Sequence, residues 1–511
     1  MESEQRKKGV ILSYVSIIAS TLVQLLYTPL LIRKLGQSEY GIYSLVSSII
    51  GYLTVLDLGF GNAIIVYTAK YKAQGKYNEE KKLHGMFFVI FCIIGVIVTI
   101  LGLILFLNVN NMFGKTMTEI ELYKIRIMML ILTFNLAITF PFTIYSSIIT
   151  AYERFSFQKV MSILNTILKP LIMIPLLFMG LKSIGMCVVI TIVNIFVLFS
   201  NYLYCRKKLN IKIKYSGFDK NLFKTIFSYS FFIFLSVIVD RINWSVDNFV
   251  LATVSGSIAV SIYNVASQLN TLYINLAATL NGIMLPKVSK MIATNASDKE
   301  LNNEFIKVGR LQCYIIFLLI SGFVILGKEF IKVWAGGNFS DSYYITVILI
   351  VPAFFSLIQN LGISIMQAKN MHRFRSILLF FIALGNIVIS IPLAKMYGGI
   401  GSAIGTSISI IVGNVIILNF YYYFKVHINV VEFWKNIAKM VIGFCIPLFI
   451  TVFLQHIFKL TGYMHIIIFG IIYVSLYSII SYFLVMNEYE KKLVDSIINK
   501  VIRKKEKHWN V

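Results

Sequence analysis

The stretch FFVIFCIIGVIVTILGLILFL, Phe87–Leu107, decides the fold. It holds 21 residues with no charge and no proline. Wound as an α-helix at about 1.5 Å per residue, it spans roughly 31 Å, which matches a bilayer hydrocarbon core of about 30 Å. Val10–Leu31 and Ile466–Val485 are similarly long and free of interior charge. Fourteen such stretches run through the chain, joined by short polar connectors. In lipid every backbone N–H and C=O must be satisfied within the protein, which leaves helices or a closed barrel. Runs of about 20 residues, rather than ten-residue alternations, select helices. The expected fold is all-α and integral to the membrane.

Composition agrees. The chain is 58% apolar and 14% charged, against about 25% charged in soluble domains. The net charge of +25 raises nucleic acid as a partner, but its placement argues against it. With a cytoplasmic amino terminus, about 34 Lys and Arg fall in cytoplasmic segments and about 8 outside, the bias that orients membrane helices. The cluster Arg206, Lys207, Lys208, Lys212 and Lys214 and the tail cations Arg503, Lys504, Lys505 and Lys507 carry much of it. Such clusters also suit anionic membrane lipids. Cys92, Cys187, Cys205, Cys313 and Cys445 show no metal-ligand spacing and read as small buried apolar residues. The first apolar stretch is too long for a signal-peptide core and is expected to remain as helix 1.

The expected helices are 10–33, 40–69, 84–107, 122–150, 157–179, 183–204, 225–253, 258–286, 305–327, 342–368, 374–395, 400–424, 434–457 and 464–486. An even number returns the carboxyl terminus to the cytoplasm. The polar connector 205–224 separates two groups of six. Ala151…Arg154-Phe155 recurs as Ala368…Arg373-Phe374, and Ile174-Pro175-Leu176 recurs as Ile391-Pro392-Leu393. Ile184-Gly185 matches Ile400-Gly401, and Gly36…Ile42-Tyr43 matches Gly256…Ile262-Tyr263. These offsets of 216 to 220 residues join like helix with like and indicate a duplication. The expected organisation is an N-lobe over 1–212 (helices 1–6), a C-lobe over 213–430 (helices 7–12), and 431–511 with helices 13–14 and a basic amphipathic cytoplasmic tail. Leu493, Ile497, Val501 and Ile502 lie among the tail lysines at a spacing that suits an interfacial helix. Parallel repeats of this kind place substrate between the lobes near mid-membrane.

Ionisable groups at membrane depth are costly, and each is a candidate for function. Asp240, Asn243 and Asp247 share a face of helix 7 with Trp244, and Arg241 adjoins them. The repeat-equivalent stripe of helix 1 is Ser20, Gln24 and Tyr27. Facing polar stripes suggest the walls of a wet cavity, though polar groups also bind packed helices together. Helix 2 carries Asp57-Leu-Gly59-Phe-Gly61-Asn62, where two glycines permit a kink beside an acid. Lys169 precedes Pro170 within helix 5, where the missing amide opens the backbone; it suits an anionic headgroup or a carboxylate of the same lobe. Arg33 and Lys34 snorkel outward, and Lys70, Lys72, Lys287 and Lys290 mark inner helix ends. There is no G-x-x-x-x-G-K-[ST] loop, so an ion gradient or the membrane potential is the expected driving force. No external loop exceeds roughly 15 residues, which leaves little room for a glycan polymerase or ligase site.

Ser13-Tyr14…Thr28-Pro29-Leu30-Leu31…Leu35-Gly36…Glu39-Tyr40-Gly41-Ile42-Tyr43, with Asp57-Leu-Gly-Phe-Gly-Asn62, resembles the oligosaccharide flippases of the polysaccharide-biosynthesis family. That family stands with MATE exporters and the lipid II flippase in one superfamily of multidrug, oligosaccharidyl-lipid and polysaccharide exporters. The resemblance covers most of the chain. It implies two six-helix lobes around a V-shaped cavity lined by helices 1, 2, 7 and 8, plus two further helices. It implies export of a polyprenyl-pyrophosphate-linked oligosaccharide for capsule, O-antigen or a related surface glycan across the bacterial cytoplasmic membrane, alongside a glycan polymerase of the same pathway. It also implies a cation site between helices 7, 11 and 12, where Asp247, Asn386, Ser390 and Thr406 offer oxygens to Na+ or H+. The mid-membrane inventory of three acids and two bases departs from a net-positive pyrophosphate cavity, and keeps a cation-coupled MATE-type drug exporter as the alternative.

Overall fold

The computed structural model describes residues 2–214, 220–278, 281–369 and 371–496, and is helical throughout, with no strand among the described residues. We number the helices α1–α14 in the order expected from sequence. They are α1 (Glu2–Leu35); α2, in two pieces (Gln37–Leu53 and Phe60–Ala73); α3 (Tyr77–Phe113); α4 (Glu119–Ala151); α5 (Phe155–Phe178); and α6 (Ser183–Lys207). The continuous rod Lys220–Ala278 breaks at Gly256 into α7 (220–255) and α8 (257–278), which resumes over Asn281–Ala293. Then come α9 (Asp298–Trp334) and α10 (Asp341–Leu357, resuming over Asn360–Ala368). His372–Ile410 breaks at Gly398 into α11 (372–397) and α12 (399–426), followed by α13 (Val430–Ile457) and α14 (Gly462–Ile480, extended to Val485).

Twelve continuous spans among the described residues are long and apolar enough to cross a membrane. Two of them, Val246–Ala277 and Phe374–Val426, each contain one of these glycine breaks, and so each joins two expected helices. The chain is a multi-pass membrane protein. Gly36 (φ 81, ψ 171) and Gly256 (φ 80, ψ −172) adopt nearly the same left-handed-side conformation at equivalent hairpins of the two repeats. Only glycine takes that backbone shape without strain, which is why the pair recurs.

Local signals set the starts of long helices. Thr118 and Glu121 form a reciprocal capping box at α4, and Ser297 and Glu300 form another at α9. Large apolar side chains such as Leu107, Phe381 and Phe449 remain exposed, as a lipid-facing surface requires.

By backbone contact the chain forms two compact units. The first comprises Met1–Ala266 with Leu379–Thr406. In it α1 lies along α5, α3 along α4, and α4 along α6. Phe60, Phe87 and Phe91 meet edge to face at its core. Buried Glu39 pairs with Lys124 and accepts from the Ser183 hydroxyl, tying α2 to α4 and α6. The second unit comprises Ser267–Leu378 with Ser407–Val511. There α9 is the hub, packed by α10, α13 and α14. The apolar pair α13–α14 therefore belongs to this unit's core, where Tyr314 and Phe317 of α9 meet Phe444 of α13.

Candidate functional site

The most distinctive polar cluster lies inside the first unit, around Asp247 of α7. Its side chain is 3% exposed. Oδ1 accepts from the Ser402 hydroxyl at 2.6 Å, and Oδ2 accepts from the Tyr263 hydroxyl at 2.6 Å and from Thr406 at 3.2 Å. The Thr406 hydroxyl also lies 3.1 Å from Oδ1 of Asn386, which accepts from Ser390 at 2.7 Å. Ser390 in turn lies 3.3 Å from the Ser402 carbonyl. No cationic side chain of the described residues is among the partners of Asp247. A hydroxyl donates one proton, so Thr406 cannot serve Asp247 and Asn386 at once. The cluster has more acceptor capacity than protons to fill it.

Chain geometry explains the gathering. Asp247 precedes the Gly256 break by nine residues and Tyr263 follows it by seven, so the α7–α8 hairpin sets them side by side. Asn386 and Ser390 are four apart on α11, and Ser402 and Thr406 are four apart on α12. The two helices meet closely because Gly401 and Gly405 face α11. A Cβ on Gly405 would strike the Ser390 side chain and backbone, and one on Gly401 would strike the Leu393 carbonyl. Gly401-Ser-Ala-Ile-Gly405 is thus a small-residue seam of the kind membrane helices use for close approach. Each cluster hydroxyl of α12 follows one of its glycines.

The four residues expected to offer oxygens between helices 7, 11 and 12, namely Asp247, Asn386, Ser390 and Thr406, are brought together here. Sequence reasoning missed Tyr263 and Ser402. Tyr263 had been noted only as a repeat match, and Ser402 was signalled by its place in the glycine seam.

The expected cavity residues fare differently. Asp57 ends the short 3-10 turn between the two pieces of α2, and its carboxylate accepts from the backbone N–H groups of Gly59 and Gly61. Leu58 (φ 53) and Gly59 (φ 72) are both left-handed, so the kink is real and Asp57 caps the helix beyond it. Asn62 is exposed on that helix. Lys169 is half-buried beside Pro170 and makes no ion pair among the described residues. Ser20 is exposed and donates to the Ile17 carbonyl, while Gln24 and Tyr27 are half-buried on α1. The side chains of Asp240, Arg241 and Asn243 lie outside the described residues, as do Ile497, Val501 and Ile502 of the tail. In the second unit an apolar cleft of about 410 Å³ lies between α8, α9, α10 and α14, lined by Leu272, Leu276, Leu326, Ile350, Ile466 and Val474 among others.

An oxygen-only donor set with one acid fits a hard monovalent cation or a proton, and does not fit the softer transition metals.

Among known proteins, the chain is 23% identical over 406 residues to the Shigella flexneri protein named "Putative O-antigen transporter", spanning 76% of this chain and 91% of that protein. Its fold is similar to that of the lipid II flippase MurJ in an inward closed conformation, with a TM-score of 0.72 and 18% identity over 93% of this chain and 97% of that one. It is also similar to an inward-facing multidrug resistance MATE family transporter, with a TM-score of 0.62 and 14% identity over 79% of this chain and 96% of that one. A Vibrio cholerae MATE transporter variant aligns with a TM-score of 0.55 and 16% identity over 84% and 98% of the two chains. At these identities the solved structures speak for the fold alone. The family described as polysaccharide biosynthesis protein matches residues 7–292, more than half of the sequence, and the chain belongs to that family.

Proposed function

We propose that the protein is a transporter, not an enzyme, that flips a polyprenyl-pyrophosphate-linked oligosaccharide across the bacterial cytoplasmic membrane by alternating access, with both termini cytoplasmic. The observation that carries the substrate class is the match spanning 91% of a protein named as an O-antigen transporter, within a polysaccharide biosynthesis family. A glycan polymerase of the same pathway is the natural consumer of the product.

Asp247 supports ion coupling. Among the described residues the carboxylate is served by neutral hydroxyls, and a buried carboxylate so served is protonated or joined by a cation, because an isolated charge in a low-dielectric interior is prohibitively costly. Asp247, Asn386, Ser390, Ser402 and Thr406 would hold Na+, or Asp247 would hold H+. Lys169, a base at membrane depth with no ion-pair partner among the described residues, suits the pyrophosphate. The apolar cleft of the second unit suits a prenyl chain.

The test is transport of a labelled lipid-linked oligosaccharide into proteoliposomes under Na+ and H+ gradients. Movement that depends on a gradient and falls with Lys169→Gln supports the reading. No movement under any gradient, together with drug resistance conferred on a sensitive host, would transfer the protein to the MATE-type exporters.

A further inference from the structure

The α7–α8 hairpin grips its neighbours through two pairs of consecutive residues. From this pairing we infer that Tyr263 is a positioning residue, which transmits the charge state of Asp247 to the contact between α8 and α2. On α7, Asp247 belongs to the buried polar cluster, while the next residue, Asn248, donates its Nδ2 to the Ser48 hydroxyl of α2 at 2.8 Å. On α8, Tyr263 donates to Asp247 at 2.6 Å, while the next residue, Asn264, accepts from the Tyr40 hydroxyl of α2 at 2.9 Å. Consecutive helical residues point about 100° apart. Each leg of the hairpin therefore turns one side chain to the cluster and the next to α2.

Tyr263 is set apart from the other donors by its helix. Ser402 and Thr406, which also donate to Asp247, both stand on α12. Among the described residues, the Tyr263–Asp247 bond is thus the one donor bond to this carboxylate that clasps one leg of the hairpin to the other. Its strength depends on what Asp247 carries. A hydroxyl bonded to an ionised carboxylate holds roughly twice as strongly as one bonded to a neutral acceptor. A proton or a cation at Asp247 removes that excess and slackens α8, and the residue after Tyr263 is the one that holds α2.

The tie to α2 is built to part. Oδ1 of Asn248 is buried and accepts no hydrogen bond among the described residues, so only one of its two polar atoms opposes separation. Seven residues before Asn264, the Ser257 carbonyl packs against Gly41 with no room for a Cβ, and Ser257 is only 5% exposed. Its exposure therefore reports whether α8 has left α2. Tyr263 spends its one proton on Asp247 and is not among the oxygens proposed to hold Na+. The inference rests on the ion-coupled reading above only for what neutralises Asp247.

The test is a double-mutant cycle on the full chain, with its five native cysteines changed to serine and Ser257→Cys as the reporter. The maleimide labelling rate then reads the population in which α8 has left α2. Asp247→Asn, which keeps the shape and removes the charge, is expected to raise that rate about three- to tenfold, the difference between a charged and a neutral hydrogen bond. Tyr263→Phe should raise it by a similar factor, and the double variant should label no faster than either single one. Sodium should still raise the thermal midpoint of Tyr263→Phe, because the oxygens proposed to hold the ion remain. A double variant whose rate is the product of the two single effects overturns the transmission. So does a Tyr263→Phe that lowers the midpoint with labelling unchanged, the mark of a merely structural bond. Loss of the sodium effect in Tyr263→Phe overturns the positioning role by placing the hydroxyl in the ion's own shell. The expected cycle with a wild-type midpoint indifferent to sodium leaves the transmission standing and removes sodium from the reading of Asp247 proposed above.

Discussion

Phe157 of α5 stacks on Tyr204 of α6 with ring centroids 3.9 Å apart and planes 14° apart, and their counterparts 217 residues later, Phe374 of α11 and Tyr421 of α12, stack at 3.9 Å and 5°. Each pair closes the same helix hairpin in its own repeat. Duplication has thus preserved a side-chain contact as well as a helix order. Stacked aromatic pairs contribute about 0.5–1.5 kcal/mol beyond their buried area. Phe157→Leu and Phe374→Leu should therefore lower the thermal midpoint of the purified protein by similar amounts, and double-mutant cycles with Tyr204→Leu and Tyr421→Leu should return similar coupling energies. A coupling near zero in one repeat would show that its stack is only a by-product of packing.

Glu121 fastens three helices at one end of the first unit. Its Oε1 accepts from Ser38 of α2 at 2.6 Å and from Ser257 of α8 at 2.5 Å, while Oε2 closes the capping box with Thr118. Nearby, Thr116 donates to the Ala252 carbonyl at 2.6 Å, and Gly41 lies so close to Ser257 that a Cβ would strike its carbonyl. This join is hydroxyl to carboxylate and glycine to backbone, a contact that water can replace, and alternating access requires such a join to part. Glu121→Ala is expected to lower stability by about 1–3 kcal/mol, from the lost cap and two unpaired hydroxyls, and to raise maleimide labelling of a cysteine introduced at Ser257. Gly41→Ala should impair export severely through overpacking. Gly385→Ala, where an added Cβ meets nothing within 4 Å, serves as the tolerated control. Labelling unchanged by Glu121→Ala would mean that the join is not a moving one.

At Asp247 the expectation concerns a cation. A ligand that binds only the folded state raises its stability by RT ln(1 + [L]/Kd), about 2.7 kcal/mol at a hundredfold excess over Kd. Sodium, but not choline, should raise the thermal midpoint of the wild-type protein, and Asp247→Asn should remove the rise while leaving the folded state intact. Ser402→Ala, which deletes the 2.6 Å donor to Oδ1, should weaken the sodium effect about tenfold in concentration, the equivalent of about 1.4 kcal/mol. Should sodium and choline act alike while transport still follows a pH gradient, Asp247 carries a proton instead.

Much of this fold is legible in the sequence because apolar length and glycine placement act locally. Phe87–Leu107 needs no partner to declare itself a membrane helix, and Gly36 and Gly256 mark equivalent hairpins wherever the rest of the chain lies. The 217-residue register was harder to read. The dipeptides Arg154-Phe155 and Arg373-Phe374 are 219 apart, whereas α5 and α11 begin 217 apart at Phe155 and His372. The loop motif had slipped relative to the helix, and the ring stack carries the structural equivalence. The Asp247 group was half visible. Its members on α11 and α12 are ordinary serines, threonines and asparagines, and what singles them out is the close approach that Gly401 and Gly405 permit. Tyr263 needed the hairpin in three dimensions. The polar stripe of α1 illustrates the limit, since Ser20 satisfies itself on its own helix and its spacing alone did not reveal that.

Asp57 provides the last expectation, and its position decides which way it points. Its carboxylate lies at the start of the second piece of α2 and takes hydrogen bonds from the N–H groups of Gly59 and Gly61. Helix starts leave such donors unsatisfied, and an acid there also complements the positive end of the helix dipole. Asparagine caps about as well as aspartate, whereas alanine costs about 1 kcal/mol. If capping is the whole duty of Asp57, Asp57→Asn should keep both the thermal midpoint and glycan export near wild type, and Asp57→Ala should lose both together. Export that collapses in Asp57→Asn while the midpoint stays put would show that the negative charge itself meets the substrate or the coupling ion, and would return Asp57 to the transport pathway beside Asp247.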